Sequence, residues 1–232
     1  MKLAIMQPYF MPYIGYYQLI AAVDTFVVYD NIKYTKKGWI NRNRMLQNGT
    51  DAVFSLPLKK DSDSLYVVQR ELAADFNRDK LLNQFKGAYQ SVPYFEQTFP
   101  LLERIVRFED DNLFCYVHHS IVETCAHLGI ETEIRVSSEV AIDHELKGQD
   151  KVFALCGALG AATYVNAIGG MELYSKDIFR GLGIELKFIK SRLFEYAQLG
   201  DDFVPWLSIV DVLMFNSIDV VREYVVANYE LI

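Results

Sequence analysis

The first thirty residues constrain the fold more than any other stretch. KLAIMQP (residues 2–8) reads as a short buried strand stopped by Pro8, and Pro12 marks the restart as a helix. In YIGYYQLIAAV (residues 13–23), Ile14, Tyr17, Leu19, Ile20 and Val23 make a broad apolar helical face. Asp24 closes that helix, and TFVVYD (residues 25–30) reads as a second strand. A strand, a helix and a strand in so few residues predict a parallel βαβ crossover, and so an α/β fold with a parallel-type sheet. Such a sheet directs attention to the carboxyl ends of its strands, where loops lead into helices and ligands bind.

Further along, RMLQ and AVFSLPL predict strands, and residues 59–65 a solvated loop. A helical block covers about 77–128 in three segments, 77–92, 93–108 and 111–128. Asp75 or Asn77 suits the first N-cap, Asp110 or Asp111 the third, and Gly129 the stop after it. ETEIRVSS predicts a strand and residues 149–159 a helix; ATYVNAI, the turn at Gly169–Gly170, a helix from Met171 and IELKFIK make a second βαβ unit. The C-terminus predicts two more helices, PWLSIVDVLMF and DVVREYVVANY. With no repeat or composition break, a single domain over 1–232 is expected.

Composition excludes several classes. At 51% hydrophobic residues, the chain can build a packed core and is not generally disordered. The net charge of −7 argues against a broad nucleic-acid or membrane-surface coat. Cys115, Cys125 and Cys156 are unpaired in pattern, and no histidine–cysteine cluster has metal spacing, so neither a disulfide scaffold nor a metal site is expected. Residues 3–23 carry no charge, but Pro8, Pro12 and Gln18 interrupt any spanning helix, so no membrane insertion is expected and the location is read as cytoplasmic.

Three segments carry candidate chemistry. The first is the turn after strand one, where Gln7, Tyr9 and Tyr16 can hydrogen-bond and stack on a ring or sugar. Aligned on Gly15, it resembles the HIGH-type turn of nucleotidylyltransferases, with Tyr13 and Tyr16 at the histidine positions, where neutral phenols would stabilise a phosphoryl transition state poorly. The second follows Asp30: residues 31–50 hold five basic side chains and no acidic one. Lys36, Lys37 and Arg42, with Trp39, Asn41 and Asn43 among them, suit an anion by charge and stacking. A phosphate or pyrophosphate is the first candidate and an RNA backbone the competitor. The third is YVNAIGGMELY, where Asn166, Gly169, Gly170 and Tyr174 fall at a strand end; paired glycines there permit a nest of backbone N–H groups around an anion. His118 and His119 read as helix residues, His144 as part of a solvated loop, and Asp211 as a carboxylate on an otherwise apolar helix, structural or catalytic.

Taken together, QPYFMPYIGYYQLI, DTFVVYD, KKGWINRNR, YVNAIGGMELY with DIFRGLGIELKFIK, and Tyr196-x-Gln198 with FVPWLSIVDVLMFN resemble the WbqC-like family of bacterial proteins over nearly the whole chain. The resemblance implies a role beside O-antigen, capsule or related lipopolysaccharide synthesis, and glycyl or other aminoacyl transfer to amino sugars. Its motif positions here are Gln7, Tyr9, Pro12, Gly15, Tyr16, Asp30, Lys37, Trp39, Asn41, Arg42, Asn166, Gly169, Gly170 and Tyr174. The expectation is a transferase that puts an acyl or aminoacyl group on a nucleotide-linked amino sugar. Lys37 and Arg42 would hold the diphosphate, Trp39 or Tyr9 would stack, and Asp30 would be the general base. The donor is an acyl-CoA or an aminoacyl-tRNA, and no cofactor is identified. The alternatives are a non-catalytic nucleotide-sugar-binding or scaffold protein and a nucleotidylyltransferase-like enzyme.

Overall fold

The computed structural model describes residues 1–62, 64–200 and 202–232. The opening βαβ unit forms as the pattern requires: β1 (Lys2–Met6), α1 (Ile14–Ala21) and β2 (Thr25–Val28), with β1 and β2 parallel and Leu3 opposite Thr25. Four more strands extend the sheet: β5 (Glu133–Val136), β6 (Thr163–Ala167), β7 (Glu185–Ser191) and β8 (Tyr229–Leu231). Their order is β5-β2-β1-β6-β7-β8, all parallel except β8, which pairs antiparallel with β7. Counted within this sheet alone, that is 3-2-1-4-5-6, the order of doubly wound nucleotide-binding folds. Strands are added to one side of β1 and then to the other, so the chain reverses direction between β1 and β6.

Alternation along the strands sends successive side chains to two separate cores. Ala4, Phe26, Val28 and Val165 join one, while Leu3, Ile5, Val27, Tyr164, Leu186 and Phe188 join the other. The first core is covered by α1 with the helical block α2 (Arg78–Tyr89), α3 (Phe95–Val106) and α4 (Leu113–Leu128), and by α7 (Ile209–Phe215) and α8 (Ile218–Ala227). The second lies under α5 (Gly148–Ala158) and α6 (Lys176–Gly181), through Val152, Leu155, Cys156 and Phe179. Helices on both faces bury both sides of a parallel sheet.

Several local expectations change. RMLQ and AVFSLPL fold back on each other as β3 (Arg42–Gln47) and β4 (Thr50–Ser55), an antiparallel pair outside the main sheet, joined at Asn48–Gly49 with both φ positive. The third helix of the block is capped by Asn112, not by Asp110 or Asp111, because the Asn112 amide oxygen accepts the Cys115 N–H at 3.1 Å. Asn77 caps α2, and Gly129 ends α4 in the left-handed region. The glycine pair is not a simple turn into an α-helix: residues 168–173 form a 3₁₀ segment that holds both glycines, and α6 starts only after it. The last helix stops at Ala227, and Tyr229, expected to end it, opens β8, where edge pairing with Ile189–Ser191 outweighs helical periodicity. No helix among the described residues is long and apolar enough to cross a membrane.

Candidate functional site

A cavity of about 940 Å³ opens at the carboxyl ends of β1, β2 and β6, at the point where the strand order reverses. Ligands of open α/β sheets bind at that point, because loops diverge there and leave a crevice. Four stretches and Tyr66 wall it. The β1–α1 turn contributes Gln7, Tyr9 and Tyr13; the segment after β2 contributes Tyr29, Asn31 and Lys33. The approach to α5 contributes His144, Glu145, Lys147, Gln149 and Lys151, and the end of β6 contributes Asn166, Gly169, Gly170 and Tyr174. Three lysines (Lys33, Lys147, Lys151) face one glutamate (Glu145) among the lining residues, so the cavity is locally cationic within an acidic protein. The first turn of α5 adds the positive end of its dipole.

The phenols are neutral donors. Burial pushes Tyr9, Tyr13, Tyr29 and Tyr174 above the usual phenol value, Tyr13 despite a hydrogen bond with Ser191 that works the other way. Tyr16 is nearly fully buried, and its hydroxyl donates to the Gln7 carbonyl at 2.8 Å. It therefore braces the turn from below rather than offering a group at a histidine position of a nucleotidylyltransferase. The Tyr9 hydroxyl donates to Gln7 Oε1 at 3.4 Å, which leaves the Gln7 Nε2 donors toward the cavity. A β-carbon on Gly15 would collide with the Tyr13 ring and with Ser191, so only glycine lets the turn lie so close to β7.

Asn166 is similarly fixed. It is 93% buried, with 7% exposed, and its Oδ1 accepts the Ala167 N–H at 2.9 Å. Its amide nitrogen lies against the Gly170 α-carbon, where a β-carbon would collide with it. Gly170 thus makes room for Asn166; the pair is a packing solution that keeps an amide donor at the cavity wall.

The basic segment is divided. Asn31 and Lys33 line the cavity, whereas Lys36, Lys37, Trp39, Asn41, Arg42 and Asn43 do not. Lys36 and Lys37 are exposed, and Trp39 is 42% exposed with the Arg42 guanidinium 6.0 Å from its ring centre. Arg42 Nε donates to the Gly38 carbonyl at 3.0 Å. Asn41 bridges the Leu56 carbonyl and the Tyr34 hydroxyl, both at 2.8 Å. Asn43 spends both amide hydrogens on the Phe10 and Met11 carbonyls, at 3.1 and 3.0 Å, and so holds Met11 at a positive φ. These two asparagines hold the β1–α1 turn and the β3–β4 pair in place, and the exposed cations stand on a separate surface.

Asp30 is 3% exposed and lies behind the cavity wall. Its Oδ1 accepts the Ser137 hydroxyl at 2.7 Å and the Ser138 N–H at 3.0 Å, which ties β2 to the end of β5. Next to it stands a group that sequence reasoning missed, Lys151, 6% exposed on the cavity side of α5. Its ammonium donates to Asn31 Oδ1 at 2.8 Å and lies 5.6 Å from the Tyr29 ring centre. Burial lowers its basicity below that of an ordinary lysine, only partly offset by Asp30 and Glu145. His144 lies in the exposed loop before α5, as expected, and is also a wall residue, with Nδ1 3.0 Å from Asn31 Nδ2. The signal for both was topological: the loop and first turn that follow β5 must lie at the carboxyl edge of the sheet.

Asp211 is far from idle but lines no part of this cavity. It is fully buried and accepts Tyr89 and Tyr196 hydroxyls at 2.8 and 2.6 Å and Gln198 Nε2 at 2.8 Å. Among the described residues no histidine, cysteine or carboxylate group of three or more could hold a metal ion.

The profile of the WbqC-like protein family matches residues 7–223, from the first cavity residue of the β1–α1 turn almost to the end of α8. The chain belongs to the WbqC-like family. It is also 27% identical over 220 residues to a protein of Mycobacterium tuberculosis (strain ATCC 25618 / H37Rv) named as uncharacterized protein Rv1507c, an alignment that covers 93% of each chain. No solved structure matches it. In this WbqC-like chain the sequence motifs of the β1–α1 turn and of residues 164–174 meet at one cavity, while KKGWINRNR leads away from it.

Proposed function

We propose that this WbqC-like protein is a transferase of bacterial surface-polysaccharide synthesis that acylates or aminoacylates the amine of a nucleotide-linked amino sugar. The observation that carries this reading is the cationic, tyrosine-walled cavity at the strand-order reversal of a parallel sheet. At about 940 Å³ it falls near the upper end of small-molecule sites, a size suited to a nucleotide with an attached sugar. Lys33 and Lys147 would hold the diphosphate, and Tyr9 or Tyr174 would stack on the base or sugar. The sugar ammonium must lose a proton before its nitrogen can attack the acyl carbon. In this scheme the sugar gives that proton to solvent before attack, and the Lys151 ammonium, with Asp30 behind the wall, holds Asn31 in place at the cavity edge. The new C–N bond forms as the donor's thiol or tRNA hydroxyl departs with a proton.

Calorimetric titration with UDP- and dTDP-amino sugars tests the binding half. The Lys33→Ala/Lys147→Ala variant is expected to bind at least about tenfold more weakly, as loss of charge-assisted hydrogen bonds to phosphate requires. Turnover with acyl-CoA against aminoacyl-tRNA separates the donors. If tRNA is the donor, the exposed Lys36 and Lys37 with the half-buried Arg42 would meet its backbone, and their removal should flatten the salt dependence. No binding of any nucleotide sugar would refute the reading.

A further inference from the structure

The hydrogen bonds around Asn31 decide which nitrogen of His144 carries a proton. The Lys151 ammonium can only donate, and it lies 2.8 Å from Asn31 Oδ1; the Ser137 hydroxyl, whose hydrogen goes to Asp30 Oδ1 at 2.7 Å, does not set the orientation. That donor fixes the carboxamide with its oxygen toward Lys151 and its nitrogen toward His144. Asn31 Nδ2 has only hydrogens to offer, so His144 Nδ1, at 3.0 Å, must accept. A proton on Nδ1 would point at another N–H. The ring is therefore the neutral tautomer protonated at Nε2, and that nitrogen, on the opposite side of the ring, makes no hydrogen bond among the described residues.

We infer that His144 is an orientation-locked hydrogen-bond donor to a phosphoryl oxygen of the cavity ligand, set by Asn31 as a positioning residue and by Lys151 behind it. The inference rests on the reading of the cavity as a nucleotide-sugar site and names one of its recognition groups. A neutral Nε2–H donor suits phosphoryl oxygens, which only accept, and Lys33, Lys147 and Lys151 supply the charge around it. Glu145, adjacent in the chain, is the acidic group among the lining residues, so the ligand's charge meets three cations and one anion there.

Nitrogen-15 spectra of histidine-labelled protein read the tautomer directly, with the His144 signal among the four histidines assigned through His144→Gln. The expected result is a neutral ring protonated at Nε2, whose resonance moves when inorganic pyrophosphate is added. Asn31→Asp keeps the Lys151 contact but can only accept from the ring, so it should invert the tautomer. His144→Phe should weaken pyrophosphate binding about tenfold, the scale of one hydrogen bond to a charged group, whereas His144→Gln, which retains a donor, should stay within about threefold. A proton on Nδ1 in the unmodified protein, an unmoved resonance, an unchanged tautomer in Asn31→Asp or full affinity in His144→Phe would each overturn the inference. If pyrophosphate is bound through His144 and yet no amino sugar is acylated, the donor assignment stands and the transferase reading falls.

Discussion

Removing the Asp211 carboxylate should cost this protein a large share of its stability. In Asp211→Ala, three donors lose the carboxylate at once, and Gln198 Nε2 keeps the Val204 carbonyl at 3.1 Å. Tyr89 is fully buried and already accepts the Leu46 N–H, so its hydroxyl has no route to water. Leaving it unsatisfied costs about 2 kcal/mol. Tyr196 and Gln198 are half-buried and recover part of their hydrogen bonding from solvent, at about 1 kcal/mol each. Relief from burying a carboxylate, which raises the Asp211 pKa above the usual value, returns roughly 1 kcal/mol. The net loss is about 3 kcal/mol, of a total stability of about 5–15 kcal/mol. Urea unfolding of the variant beside the parent protein measures it. The sign of the pH dependence gives a second check. A carboxyl with a raised folded pKa contributes stability that is present below its ordinary value of about 4 and is lost as pH rises through the folded pKa. The parent's advantage over Asp211→Asn should therefore be greatest in acid and shrink as pH rises. A loss below about 1 kcal/mol for Asp211→Ala, or an advantage that grows with pH, would refute the account of this node as a buried structural acceptor.

Two further outcomes concern the cavity. Gly170→Ala has an unstrained φ but drives its new methyl into the Asn166 amide, so nucleotide-sugar affinity should drop about tenfold in calorimetry while the melting temperature moves little; Asn166→Ala should produce the same loss without any clash. Lys151 has a lowered folded pKa, so its contribution to stability rises with pH up to about 10.5 and is lost as pH falls through the folded value. The stability of the parent minus that of Lys151→Met should climb as pH rises toward about 10.5 in urea titrations, and a flat difference would contradict the burial of its charge.

The cation-rich stretch shows why local reading of a site has a limit. Residues 31–50 do stand apart from an acidic chain, and charge density along the sequence finds them without a structure. Charge density does not say which way a loop runs. Phe10 N–H bonds to the Ile40 carbonyl at 3.1 Å, and Asn43 holds the Phe10 and Met11 carbonyls, so the segment is stitched alongside the β1–α1 turn and its first residues, Asn31, Ile32 and Lys33, line the cavity. Its remaining cations end on a different surface.

By itself the sequence determined the α/β class, the parallel β1–α1–β2 unit, the three helices of the central block and the motifs of residues 7–16 and 164–174. Those are local properties: periodicity of two or 3.6, proline and glycine punctuation, and side-chain types at the ends of strands. Only the tertiary structure decided that β6 is added on the far side of β1, that residues 229–231 close the edge of the sheet, and that Lys151 and His144 meet Asn31. Asn31 and Lys151 are 120 residues apart in the chain. No local pattern encodes such a meeting, because it is fixed by the order in which strands pair and by the burial that order imposes on the groups at their ends.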